Sequence, residues 1–217
     1  ASRLCMELLW TLKDEFEAEL LRDFEPPKLE SVVSRWMDRL HDAFVERRGD
    51  SPAYAREDAT ATLSFIVGKR GSTHIACASC GDSQVYVFPS GGKSTESVFE
   101  RGEMDEQRKK SGQDALKLLT HIGSDRSQWE KKIVKSRRVH YGDRLLLCTD
   151  GVFRAKHTEN PSRGDVGSMM NQKFAVIRSM SDVARDETAM GQAIDQALKK
   201  IQELGEPDDL TMVMAYI

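Results

Sequence analysis

The hydrophobic pattern of the chain changes its period near residue 60, and this change limits the folds that the chain can adopt. Apolar residues recur three or four positions apart from residue 2 to the pair Pro26 and Pro27, and again over 29–47. This spacing predicts two amphipathic helices separated by the prolines. After residue 60, short runs of β-branched and small apolar residues alternate with glycine-containing turns, which is typical of strands.

The order of the predicted elements indicates the fold class. Strands are predicted at 60–67, 74–78, 84–88, 133–139, 144–149 and 210–217, and later helices at 103–110, 173–180 and 188–204. Because hairpins join neighbouring strands, we expect antiparallel sheets covered by helices. The predicted fold is α+β, an α-β-β-α layered sandwich of two mainly antiparallel sheets flanked by helices, in a single domain over 1–217. Residues 154–173 are predicted to form a loop, and the polar segment 89–118 a flap.

Composition and charge exclude several classes of function. The chain has 217 residues and a formal net charge of -3, which gives no general electrostatic reason to bind nucleic acid or anionic lipid. No apolar run approaches the ~20 residues that a membrane-spanning helix needs. Cysteines are sparse, and Cys77 and Cys80 stand three apart on a predicted strand, so we expect them to be reduced and packed on opposite faces. The default location is the cytoplasm.

Three acidic turns stand at the edges of predicted strands, namely Gly81-Asp82-Ser83, Thr149-Asp150-Gly151 and Pro207-Asp208-Asp209. A carboxylate at a strand end can point into a cleft while the strand holds it rigid. Carboxylates that converge there would repel unless divalent cations lay between them, and such hard oxygen ligands suit Mg²⁺ or Mn²⁺. Asp-Gly and Asp-Ser are also common turn formers without any ligand, so the turns alone do not separate the two interpretations.

The order and context of these turns resemble a known family. The matching segments are 76–83, ending in Gly-Asp-Ser; 119–123, Leu-Thr-His-Ile-Gly; 142–152, with Thr-Asp-Gly; 208–214, beginning Asp-Asp-Leu-Thr; and, more loosely, 58–62. Together they resemble the metal-dependent serine/threonine protein phosphatases of the 2C type. The resemblance implies hydrolysis of phosphoserine and phosphothreonine in a phosphorylated protein substrate, with a pair of Mn²⁺ or Mg²⁺ ions that activates water.

The same resemblance assigns roles to particular residues. Asp150 and Asp208 would be metal ligands of the binuclear centre, and Asp82 would lie beside it, where the family can hold a weaker third ion. Gly151 would keep the backbone close to the metal centre. Arg154 stands where many relatives carry another aspartate; it either attracts the phosphorylated substrate or is a solvated loop residue. No residue is assigned as the general acid.

One part of the family pattern is missing. No Asp-Gly precedes residue 60, so the family's N-terminal hairpin, with its phosphate-gripping arginine and bridging aspartate, is not in this sequence. Three explanations are open: an N-terminal segment that the sequence omits, an inactive pseudophosphatase that serves as a protein-binding regulatory module, or strands supplied by another chain. We favour the first, because missing strands would leave long sheet edges unpaired.

Overall fold

A computed structural model describes residues 2–22, 25–49, 59–69, 71–91, 95–99, 120–124, 126–153, 163–180, 183, 186–205 and 210–217. The helices within these ranges are α1 (Ser2–Arg22), α2 (Leu29–Arg48), α3 (Arg126–Trp129), α4 (Asp150–Phe153), α5 (Arg163–Ser179) and α6 (Glu187–Glu203). The strands are β1 (Ala61–Lys69), β2 (Ser72–Cys80), β3 (Gln84–Phe88), β4 (Glu96–Ser97), β5 (Ile133–Val139), β6 (Arg144–Cys148) and β7 (Met212–Tyr216). The chain divides into two compact units, Ala1–Asp82 with Phe99–Val139, and Ser83–Val98 with His140–Ile217.

The first unit is a three-stranded antiparallel sheet packed against two helices. Its strand order is β1-β2-β5, and a tight connection at Gly71 sets the β1–β2 register, in which Lys69 pairs with Ser72. Helix α2 buries one stripe of side chains, and these share a core with α1, β1 and β2. The most buried members of that stripe are Leu29, Val33, Met37, Leu40 and Phe44. Their three- and four-residue spacing places them on one face of the helix.

A polar network attaches α2 to the segment before β5. Trp129 donates from Nε1 to Asp38 Oδ1 at 2.7 Å, and Lys132 Nζ lies 2.9 Å from the same oxygen. Burial by itself would raise the pKa of the Asp38 carboxyl. The hydrogen bonds from Lys132 and Trp129 lower this pKa by more, so its net value is below the ordinary one. The segment 120–124 is held nearby, because Ile122 N donates to the carbonyl of Ala59 at 2.7 Å.

The second unit is a four-stranded antiparallel sheet with the order β4-β3-β6-β7. Its core joins the sheet to α5 and α6 and includes Leu146, Ile177, Ile201 and Met214. The turn before β6 is fixed by Asp143, whose two carboxylate oxygens accept from the backbone amides of Ser90 and His140, each at 2.8 Å. This explains why a Gly-Asp pair stands before the strand: the carboxylate replaces backbone partners that the turn lacks.

The predicted fold class is confirmed, since helices flank two antiparallel sheets, but some predicted boundaries were wrong. Residues 163–173 are helical instead of part of a loop, and they belong to α5. Gly164 and Gly167 weaken the helical signal there, whereas the later residues of α5 are held by packing. The predicted helix at 103–110 and most of the flap at 89–118 lie outside the described residues, and the single-domain assignment stays a prediction. No helix within the described ranges is long and apolar enough to cross a membrane.

Candidate metal centre

The acidic turn of the second unit follows directly from β6. Cys148, the last residue of this strand, pairs with Gln84 of β3 and Met212 of β7, so the strand end is fixed on both sides. Asp150 begins α4 and is half-buried, while Gly151 is buried. Burial, with a smaller contribution from the Asp150 carboxylate, raises the pKa of the Cys148 thiol well above its ordinary value.

Two threonines join this turn to the start of β7. Thr149 N donates to the carbonyl of Thr211 at 3.1 Å, and Thr211 N donates to Thr149 Oγ1 at 3.0 Å. The turn is closed by a third bond, from Val152 N to the carbonyl of Thr149 at 3.1 Å. Thr211 follows Asp208 by three residues in the sequence. The antiparallel pairing of β6 and β7 therefore places the residue before Asp150 against the segment that Asp208 precedes.

A buried lysine contacts the other side of the same turn. Lys173 lies on α5 and is 0% exposed, and its Nζ donates to the carbonyl of Gly151 at 2.8 Å. Sequence reasoning missed this residue, because a lysine in an amphipathic helix is usually exposed to solvent. Only the tertiary packing of α5 shows that its side chain points inward.

The acidic turn of the first unit follows β2. Asp82 is half-buried and comes directly after Gly81, whose φ of 121° is in the range that favours glycine. A Cβ at this position would lie 2.6 Å from Cγ2 and 2.7 Å from Cβ of Thr60, so the Thr60 side chain leaves no room for another side chain unless it shifts. Asp82 belongs to the first unit and Asp150 to the second. Asp208 and Arg154 lie outside the described residues, so the roles predicted for all of these residues, and for Gly151, stay predictions.

The Cys-x-x-Cys pair is packed in the protein interior. Cys77 and Cys80 are both 0% exposed, and only Cys80 belongs to the core that β2 shares with α1 and α2. Burial raises the pKa of Cys77 to about 11 and that of Cys80 to about 12. The thiols are therefore protonated near neutral pH, and a protonated thiol is not a nucleophile.

The donor chemistry of the second unit fits a hard divalent cation. Asp150 offers carboxylate oxygens, which Mn²⁺ and Mg²⁺ prefer as ligands. The residues on both sides of Asp150 are hydrogen bonded, so the carboxylate stands on a fixed backbone. Within the described ranges, no three His, Cys, Asp or Glu side chains come together as a metal site. Of the predicted ligands Asp150 and Asp208, only Asp150 lies within these ranges, and two carboxylates alone are too few to hold a pair of ions.

Residues 1–203 match the family model described as Protein phosphatase 2C. The chain belongs to this family. The match includes the whole first unit and the second unit up to residue 203, so it confirms the family that the sequence motifs predicted, a family of protein serine/threonine phosphatases that use Mn²⁺ or Mg²⁺. No curated protein sequence matches the chain.

Solved structures share the fold of this 2C-type phosphatase. The serine/threonine phosphatase PstP/Ppp of Mycobacterium tuberculosis is 17% identical with a TM-score of 0.58, and the alignment covers 100% of this chain and 80% of that one. The catalytic domain of PstP in complex with two manganese ions is 19% identical with a TM-score of 0.55, over 99% and 79% of the two chains. Stp1 of Staphylococcus aureus is 15% identical with a TM-score of 0.57, over 89% and 70%.

Proposed function

We propose that this chain hydrolyses phosphoserine and phosphothreonine in proteins, with divalent cations held at the acidic turn of the second unit. The observation that carries the proposal is the pair of hydrogen bonds between Thr149 and Thr211. They attach the residue before Asp150 to Thr211, which follows Asp208 by three residues in the sequence, and this supports a site to which both predicted carboxylates contribute.

Asp150 and Asp208 would supply two of the ligands for a pair of Mn²⁺ or Mg²⁺ ions, such as the two manganese ions that a solved relative holds. Asp82 would hold a weaker third ion, and Gly151 would keep the backbone close to the centre. When bound, the ions supply the activation of water and neutralise the charge of the phosphate. The protein's contribution is to hold the Asp150 carboxylate on a fixed backbone, so that little ordering remains to be done when a cation binds.

Direct attack by water needs no covalent nucleophile from the protein, and the cysteines agree with this. All four are buried in the structure. Burial raises the pKa of Cys5 as well, to about 11. A cysteine-based phosphatase would instead need an exposed thiol of lowered pKa.

The proposed reaction indicates the substrate, and the charge of the chain bears on its other partners. The substrate is a phosphorylated protein, and Arg154 attracts its phosphate. A cytoplasmic signalling role, with a regulatory protein partner and without nucleic acid or membrane, fits the net charge of -3.

A protein-binding module without catalysis is the second candidate. The observation that favours it is an apolar cavity of about 210 Å³ between α1, α2 and β1. Trp10 and Met6 line this cavity and are 77% and 65% exposed. Large apolar side chains in contact with solvent around a cavity are typical of surfaces that bind a partner.

Phosphate release from a phosphothreonine peptide by the full-length protein, with and without Mn²⁺, tests the first candidate. Asp150→Asn and Asp208→Asn should each lower the Mn²⁺-dependent rate at least ~100-fold, because even outer-shell partners of metal ligands cost about 10–100-fold. The matched control is Asp195→Asn, which changes an exposed aspartate on α6 and should leave the rate unchanged. Equal rates in all three variants would remove the assignment of the ligands. A parent protein that binds Mn²⁺ but releases no phosphate would favour the binding module.

A further inference from the structure

We propose that Lys173 is a positioning residue for the metal-binding turn: its Nζ holds the Gly151 carbonyl and fixes the backbone on one side of Asp150 before any cation binds. The inference rests on the proposed function, because it takes Asp150 as a metal ligand. It adds a residue of α5 to the machinery that prepares the site. The contact that supports it is the 2.8 Å hydrogen bond from Lys173 Nζ to Gly151 O.

The side chain of Lys173 is completely buried, which supports a role for its amine inside the protein. Lysine is almost never fully buried, because removing its amine from water is costly unless polar partners replace the water. Lys173 is nonetheless among the largest fully buried side chains of the structure. A lysine with no role at the turn could extend its amine past the core to solvent. The full burial of Lys173 contradicts this.

The helix that Lys173 contacts is too short to fix itself. Helix α4 has four residues, Asp150–Phe153, which is about one turn. A helix of this length is unstable in isolation and takes its shape from tertiary contacts. The bond from Val152 N to Thr149 O closes the turn, and the bond from Lys173 attaches its second residue to α5. Val152 also packs in the core of the second unit, but Lys173 makes the polar bond that fixes the Gly151 carbonyl beside Asp150.

Asp150 lies between two residues that are each held from a different direction. Thr149 is bonded to Thr211 at the start of β7, and Gly151 is bonded to Lys173 on α5. Fixing the backbone on both sides restricts the directions that the Asp150 carboxylate can take. Since the cost of ordering the turn is already met in the folded protein, a cation should bind more tightly than it would to a loose turn.

The test compares Lys173→Met with Ile177→Ala in the full chain. Methionine keeps the apolar length of the lysine but removes the donor. Ile177 is 1% exposed on the same helix and packs in the same core as Val152, so its truncation destabilises the unit but removes no polar bond to the turn. The readouts are hydrogen exchange at the Val152 amide without metal and the Kd for Mn²⁺ by calorimetry.

We expect Lys173→Met to speed the exchange of Val152 and to raise the Kd for Mn²⁺ about 10-fold, in the range measured for outer-shell partners of metal ligands. Ile177→Ala should speed the exchange of Val152 only as far as the unit loses stability, and it should leave the Kd for Mn²⁺ near that of the parent. If Lys173→Met does not fold, Lys173→Gln replaces it with the same expectation, because its amide is one bond shorter and falls short of the carbonyl.

Two outcomes would overturn the inference: no change in either readout, or equal changes in both variants, which would make Lys173 a core residue only. Failure of the proposed function would give a different result. The parent protein itself would then bind no Mn²⁺ or release no phosphate, whichever residue stands at position 173.

Discussion

The two acidic turns within the described residues look alike in sequence but are held by different forces. Asp82 follows β2 in the first unit, and Asp150 follows β6 in the second; both are half-buried. The first turn takes its shape from Gly81, which allows the backbone to pass close to Thr60. The second takes its shape from hydrogen bonds made by side chains, those of Thr149 and Lys173.

The comparison shows that an Asp at a strand end indicates where a carboxylate stands, but not what keeps it there. A turn held by a close contact, as between Thr60 and the Gly81 backbone, should keep its shape when a polar group is lost and should be destabilised when a methyl group is added. A turn held by hydrogen bonds tolerates changes of shape and fails when a donor or acceptor is removed. The two turns should therefore respond in opposite ways to small and polar substitutions.

Gly81→Ala should have the largest effect. An alanine there combines an unfavourable positive φ, which costs about 1–3 kcal/mol, with a forced shift of Thr60, which costs about 1–3 kcal/mol more. We expect the free energy of unfolding to fall by about 3 kcal/mol or more, measured by urea denaturation.

Gly71→Ala is the matched control in the same unit. Gly71 also has a positive φ, 79°, but a Cβ there would meet nothing within 4 Å. The loss should be limited to the backbone strain, about 1–2 kcal/mol. If the two alanines cost the same, close approach to Thr60 is not what shapes the first turn.

Thr149→Val should have a smaller effect, in the second unit. Valine keeps the shape of threonine and the backbone bond to Thr211, but it removes the hydroxyl that accepts from Thr211 N. The expected loss is about 1 kcal/mol, the usual net value of one hydrogen bond. Faster hydrogen exchange at the Thr211 amide should accompany it.

Thr188→Val serves as the comparison for this variant. Thr188 is exposed in the first turn of α6, and its backbone amide, rather than its hydroxyl, donates to the Asp186 cap. The free energy of unfolding should change by no more than about 0.5 kcal/mol in Thr188→Val. An equal loss at both threonines would mean that the hydroxyl of Thr149 does not hold the turn.

The sequence predicted the fold and the acidic turns because both are local signals. A hydrophobic period of two or of three to four residues follows directly from strand and helix geometry. Asp150 and Gly151 stand next to each other in the sequence, so their turn could be recognised there. Lys173 could not, because it reaches the turn only through the packing of α5. Gly81 was visible as a glycine, but its contact with Thr60 depends on how the strands pair.

The smallest expected effect concerns the weaker ion assigned to Asp82. Asp82→Asn should lower the free energy of Mn²⁺ binding by about 0.5–1 kcal/mol, the usual scale for a charge interaction that is not fully buried, and calorimetry measures it. This loss should be smaller than that of Asp150→Asn, because Asp82 is assigned only a weaker ion. Asp195→Asn, at an exposed residue of α6, should leave Mn²⁺ binding unchanged. If Asp82→Asn has no effect either, the turn of the first unit holds no cation, and the two turns differ in function as well as in the forces that hold them.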